Sequence, residues 1–386
     1  MRWRDRLFKA ILIALGLVLG LALVEVGLRL APPFPTRVRA DRIVLPANER
    51  LRFRFEHYAL AAEVEVRRNS LGLRGPELAA AAPGALRLIT VGGSTTENLY
   101  LGEGSTWTDR LAERLGSAVG PLWANNAGLD GQSSFGHLVL LQDHLAGLKP
   151  DVLLFLVGVN DVGHAAPRAF DRAHEAGRFD FSSAGGLLRS LARHSEVFSL
   201  GLNLKRAWQA RQAGLVHDPG LFGPDPTRRA APLAPPLGAD EAGARIAALS
   251  QAFLPDYAAR LRELVRRTRA LGALPVLLTQ PAVFGPGIDA WTGWDLAAIE
   301  ALWALPGGAA WDLLERYNET TRQIAAEQAV PLVDLARHLP KAIRLYYDPV
   351  HHTPEGARRL GELAADMLCP ILQARHPDKA RAPCPP

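Results

Sequence analysis

The residues whose types and spacing could do chemistry are Asp348 and His351, the ends of Asp348-Pro349-Val350-His351, together with Ser94, which follows Gly92-Gly93 far upstream. A carboxylate three residues before an imidazole can hold one ring nitrogen while the other accepts a hydroxyl proton. A Ser relieved of its proton in this way attacks acyl groups. His352 is the competing base, although the ring of an adjacent residue is expected to point elsewhere. As a pair, His351 and His352 do not make a metal site, because the rings of adjacent residues diverge and no recognised ligand spacing supplies the rest of a coordination shell, so no metal or cofactor is implied.

Such a Ser must be lifted out of the fold. Leu88 to Val91 reads as a buried strand, and Gly92-Gly93-Ser94 as the tight turn that exposes a hydroxyl at its end and leaves backbone N–H groups free for an oxyanion. Two further turns follow strands. Asn125-Asn126-Ala127-Gly128-Leu129-Asp130-Gly131-Gln132-Ser133 runs into a helix, where a glycine N–H could approach a developing charge. Val157-Gly158-Val159-Asn160-Asp161 offers an Asn side chain as another donor. Turn preference alone would account for each. Thr353 before Pro354 is a plausible N-cap for the last helix.

The elements that must position these residues alternate. Strands are expected at 86–91, 122–127, 152–157, 274–279 and 331–335, and helices at 106–115, 135–146, 256–270, 317–328 and 354–368, the pattern of a mainly parallel sheet covered on both faces. Residues 51–67 read as an edge strand or hairpin, and 68–75 as a turn-rich segment before the core. Inserts at 162–240 and 281–315 leave from C-terminal strand ends, where open sheets bind ligands, and are candidate lids or substrate walls as well as plain decoration. The second carries Trp291, Trp294, Trp303 and Trp311.

The four blocks around Ser94, Gly131, Asn160 and Asp348–His351, in this order and on these strand ends, resemble the SGNH (GDSL-like) hydrolase family over 86–368. The resemblance implies an α/β fold, a three-layer α/β/α sandwich on a five-stranded parallel sheet of flavodoxin-like type. It implies Ser94 as nucleophile, Asp348 and His351 as acid and base, and an oxyanion hole from Ser94, Gly131 and Asn160. Gly128 can be read in the role of Gly131, which is preferred. Gly93 departs from the Asp of many members, at a position outside the catalytic set. The segment 69–75 and the N-terminus look like membrane-tethered bacterial members.

Arg2, Arg4, Arg6 and Lys9 precede an apolar run that continues, past Glu25, to Arg29. Residues 7–28 would cover roughly 30 Å as a helix, enough to span a bilayer with the basic end in the cytoplasm and the rest outside. A cleaved signal peptide is the rival reading, but no small-x-small site follows Ala22-Leu23-Val24. Glu25 and Arg29 are spaced to pair. The expected layout is 1–36 basic flank and anchor, 37–85 linker and extension, 86–370 hydrolase domain, and 371–386 tail.

The 386 residues carry a net charge of +5, but only five of the 44 basic residues are Lys and the arginines are interspersed with acids, which argues against nucleic acid as a partner. The only cysteines, Cys369 and Cys384, could close a loop outside the cytoplasm. The expected function is a serine esterase acting on acyl esters, O-acetyl among them, of an extracytoplasmic carbohydrate or lipid. An O-acyltransferase using a sugar hydroxyl, and an inactive tethered binding protein, are the alternatives.

Overall fold

Two antiparallel ladders precede the main sheet, β1 (Val38–Arg39) with β2 (Arg42–Ile43), and β3 (Arg50–Arg54) with β4 (Glu63–Arg67). The second is the hairpin expected over 51–67. Five parallel strands then build the main sheet: β5 (Leu86–Gly92), β6 (Leu122–Asn126), β7 (Val152–Leu156), β8 (Leu274–Leu278) and β9 (Leu332–Val333), in the order β6-β5-β7-β8-β9. This computed structural model describes residues 2–30, 38–39, 42–167, 171, 183–212 and 220–385. Parts of the expected linker and of the first insert therefore lie outside the described residues.

β7 and β8 are buried along their whole length, which is why they read as unbroken apolar runs rather than alternating ones. Pro275 is tolerated inside β8 for a geometric reason. Leu274 N donates to Asp151 O on the β7 side, so the nitrogen of the next residue faces the other way, where β9 pairs only with Leu277 and Leu278.

The helices are α1 (Arg2–Leu30), α2 (Ser94–Glu97), α3 (Trp107–Gly116), α4 (Ser134–Leu140), α5 (Ala184–His194), α6 (Glu196–Gln212), α7 (Ala239–Ala270), α8 (Gly307–Glu327), α9 (Leu335–His338) and α10 (Pro354–Arg375). α10 packs on α3, while α7 packs on α8 and α4, which gives the sheet a helical layer on each face. Sequence reading began α7 at Asp256, from the helical spacing of its apolar residues. The helix instead runs through Pro255, because packing against α8 and α4 outweighs a local penalty of about 3 kcal/mol. α8 likewise begins at Gly307, inside the stretch read as the second insert.

By its contacts the chain divides into two units, Met1–Pro46 with Arg172–Val216, and Ala47–Asp171 with His217–Pro386. In the first, α1 is long and apolar enough to cross a membrane, at about 43 Å by helical rise, and side chains such as Leu15 and Leu19 are exposed along it. Glu25 pairs with Arg29 at 2.9 Å, the expected partner. Its carboxylate also accepts from Ser195 Oγ at 2.8 Å, Glu196 N at 2.8 Å and Val197 N at 3.2 Å, at the start of α6. Arg29 Nη2 donates to His194 O at 3.0 Å, the end of α5. The two helices, which sequence reading did not foresee, thus close on the C-terminal end of α1. The second unit holds the main sheet and ends in a Cys369–Cys384 disulfide. Nearby, Arg381 N donates to Ala118 O at 2.9 Å and Gln373 Nε2 to the same oxygen at 3.1 Å.

Candidate active site

Register places the C-terminal ends of three neighbouring strands side by side: Thr90 lies opposite Asn126, and Gly92 opposite Leu156. The loops leaving these ends carry Ser94, Gly131 and Asn160. Ser94 is the first residue of α2, directly after Gly93. A Cβ at Gly93 would stand 2.2 Å from Asn160 Nδ2, so only a bare Cα lets that amide lie against the turn. Gly93, where many members carry Asp, thus gives the Asn160 amide its present place against the turn.

On the other side, the segment before α10 brings in Asp348 and His351. His351 Nδ1 donates to Asp348 Oδ2 at 2.6 Å, and Nε2 accepts from Ser94 Oγ at 2.8 Å, the tautomer fixed by a carboxylate that can only accept. Asp348 Oδ1 accepts from Val350 N at 3.0 Å and His351 N at 2.8 Å, which holds the carboxylate rigid. The Tyr347 ring stacks on His351 with centroids 5.5 Å apart and planes 10° off parallel. Ser94, Asp348 and His351 are all buried, at 6, 4 and 7% exposure, so their mutual hydrogen bonds face little competition from water.

Gly131 adopts φ +71°, the left-handed region open to glycine. Among the described residues no acceptor takes its N–H or that of Ser94. Gly128 differs: its N–H is taken by Asn126 Oδ1 at 2.8 Å, and its Cα is pressed against the backbone of Glu97. Asn160 Nδ2 donates to Gln132 O at 3.0 Å, which leaves its second N–H available. His352 is fully buried, its ring 4.9 Å from that of Tyr346, and among the described residues neither of its nitrogens has a hydrogen-bond partner. Burial pushes its pKa down to about 3, so it stays neutral and apart from Ser94.

A buried carboxylate behind Asn160 ties these loops together. Asp161 accepts from Ser134 N at 3.1 Å, and Arg260 reaches both Asp161, at 3.3 Å, and Ser134 Oγ, at 2.7 Å. Burial raises the Asp161 pKa to about 6, resisted by Ser134 and Arg260. Asp171 Oδ1 receives Ser133 N at 2.8 Å and Gly136 N at 3.1 Å.

Sequence reasoning also missed Glu97. Wholly buried in α2, it accepts from Asp130 N at 2.7 Å, next to Gly131, and pairs with the buried guanidinium of Arg68. Arg74 donates to Glu97 O at 2.8 Å and Asn98 O at 2.7 Å. The segment 68–75 is therefore a brace for the turn that carries Ser94. Its two arginines were the available signal, since both lie in a turn-rich stretch that ends up buried.

The sequence pattern of the GDSL-like lipase/acylhydrolase family matches residues 90–359. No curated protein matches. Among solved structures, similar chains include a lipase/acylhydrolase from Enterococcus faecalis (12% identity, 74% of this chain and 96% of that one, TM-score 0.39). A psychrotrophic esterase from Pseudoalteromonas sp. is similar at 12% identity, over 75% of this chain and 99% of that one, with TM-score 0.41. A hydrolase from the metagenome of Lake Arreo, Spain, is similar at 18% identity, over 74% and 96%, with TM-score 0.38. These likenesses say nothing of substrate. The match over most of the chain, on a five-stranded parallel sheet, makes this protein a member of the GDSL-like lipase/acylhydrolase family and an ester hydrolase of that type.

Proposed function

We propose that the protein is a serine esterase whose nucleophile is Ser94, acting outside the cytoplasm on acyl esters of a carbohydrate or lipid. The observation that carries this reading is the continuous line from Ser94 Oγ to His351, 2.8 Å, and on to Asp348, 2.6 Å. His351 Nε2 takes the hydroxyl proton as Oγ attacks the ester carbonyl, and Asp348 stabilises the imidazolium that forms. The N–H groups of Ser94 and Gly131 and the spare N–H of Asn160 receive the oxyanion. His351 then gives its proton to the departing alcohol, and a water molecule, deprotonated by the same nitrogen, releases the acid and restores Ser94.

The extracytoplasmic placement rests on α1, with Arg2, Arg4, Arg6 and Lys9 at its first end, and on the Cys369–Cys384 bond, which suits an oxidising compartment. Full-length Ser94→Ala is expected to lose p-nitrophenyl acetate hydrolysis by on the order of 10⁴-fold or more, and to escape fluorophosphonate labelling. Full activity in that variant would falsify the assignment.

A further inference from the structure

A cleft of about 560 Å³ opens beside the Asp348–His351 segment, with Tyr58, Trp291, Arg344, Thr353 and Glu355 in its lining. We propose that it is a saccharide subsite, which deepens the esterase reading above and rests on it: the ester cleaved at Ser94 would be carried by a glycan.

The aromatic floor is built and held in place. Asp289, almost fully buried, accepts from Trp291 N at 3.2 Å, Thr292 N at 2.8 Å and Thr292 Oγ1 at 2.8 Å. Its other oxygen accepts from Ile343 N at 2.9 Å, which fastens the Trp291 turn to the segment leading toward the catalytic loop. Trp291 is nonetheless 44% exposed, a large ring kept at the surface by a buried carboxylate. The Tyr58 ring lies 5.5 Å from it, and its hydroxyl donates to Ile343 O at 3.0 Å, so both rings are anchored to the same strand of chain.

The floor continues inward as a row of rings. Tyr58 lies 4.1 Å from His57, His57 6.3 Å from Tyr347, and Tyr347 stacks on His351. Burial lowers the His57 pKa to about 4, so the His57 ring is uncharged at neutral pH. The rim is the opposite: Arg344 and Glu355 are 60% and 41% exposed and stand 3.8 Å apart, leaving donors and acceptors at the mouth.

Exposed ring faces beside charged hydrogen-bonding groups match a pyranose, whose C–H faces stack on aromatics while its hydroxyls need polar partners. An acyl chain would take the rings but would strip water from Arg344 and Glu355 without replacing it. The volume lies within the ~300–1,000 Å³ of small-molecule sites.

The test is isothermal titration of the full chain in lipid nanodiscs with unacylated xylohexaose, cellohexaose and chitohexaose. At least one is expected to bind, about tenfold more weakly in Trp291→Ala, equivalent to about 1.4 kcal/mol, with most affinity restored in Trp291→Phe. Arg344→Ala gives the same direction should Trp291→Ala not fold. Binding by none of the three, or binding that both variants leave unmoved, overturns the proposal. So does Trp291-dependent binding of monomeric dihexanoylphosphatidylcholine in place of any sugar. These sugars carry no ester, so the two readings fail separately. Hydrolysis that dies in Ser94→Ala without any sugar binding sinks the subsite alone, and sugar binding alongside an active Ser94→Ala sinks the nucleophile alone.

Discussion

Asn160 and Gly93 act as one unit in this site, since the amide occupies the space a Cβ at Gly93 would need. Asn160→Ala removes a proposed oxyanion donor and leaves Gln132 O without its 3.0 Å partner. Turnover of p-nitrophenyl acetate is expected to fall ~100- to 1,000-fold, mostly in kcat, because the bond strengthens as charge develops. A loss confined to KM would count against that role. At this scale the sequence was most legible where partners are close in the chain. Asp348 and His351 are three residues apart and announce each other, and Asn160 and Gly131 sit on turns whose chemistry a strand end makes visible. Glu97 was not legible, because its partner Arg68 approaches only once the extension has folded over α2.

That extension is where the element scale departs most from a generic sheet with helices. Arg68 has a side chain 1% exposed and is shared between Glu97 and Glu49, and Asn69 Nδ2 donates to Asn125 Oδ1 at 2.8 Å. The turn bearing the hydroxyl is thus clamped from outside the sheet. Glu97→Ala takes from the buried Arg68 guanidinium one of its two carboxylate partners, Glu49 being the other, and removes the acceptor of Asp130 N. Stability is expected to drop by about 3 kcal/mol, the lower end for a broken buried pair, read as a shift in urea midpoint. An unmoved midpoint would show that the pair contributes nothing net. The strands were readable as elements because both faces of the sheet are covered, which writes burial into the sequence as continuous apolar runs. α7 was expected only from Asp256, although it begins at Ala239 and runs through Pro255, and α5 and α6 were missed because the long stretch after β7 was read whole as insert.

Over the whole molecule, the two cysteines were visible at once but their pairing was not. It depends on α10 running on through Pro370 and on the tail returning to Ala118. The bond closes a loop with a separation of 15 residues. Cys384→Ser is expected to cost about 3 kcal/mol of unfolding free energy and to abolish any effect of dithiothreitol on the melting temperature. A reductant-sensitive melt in that variant would refute the pairing. A different consequence follows from Glu25, whose carboxylate caps the start of α6 from within the apolar helix. In the membrane-anchored form proposed above, cleavage just after Leu30 would leave that carboxylate behind. A shed form would then differ from the anchored one in the folding of residues 184–212 as well as in its address, making release from the membrane a change of structure.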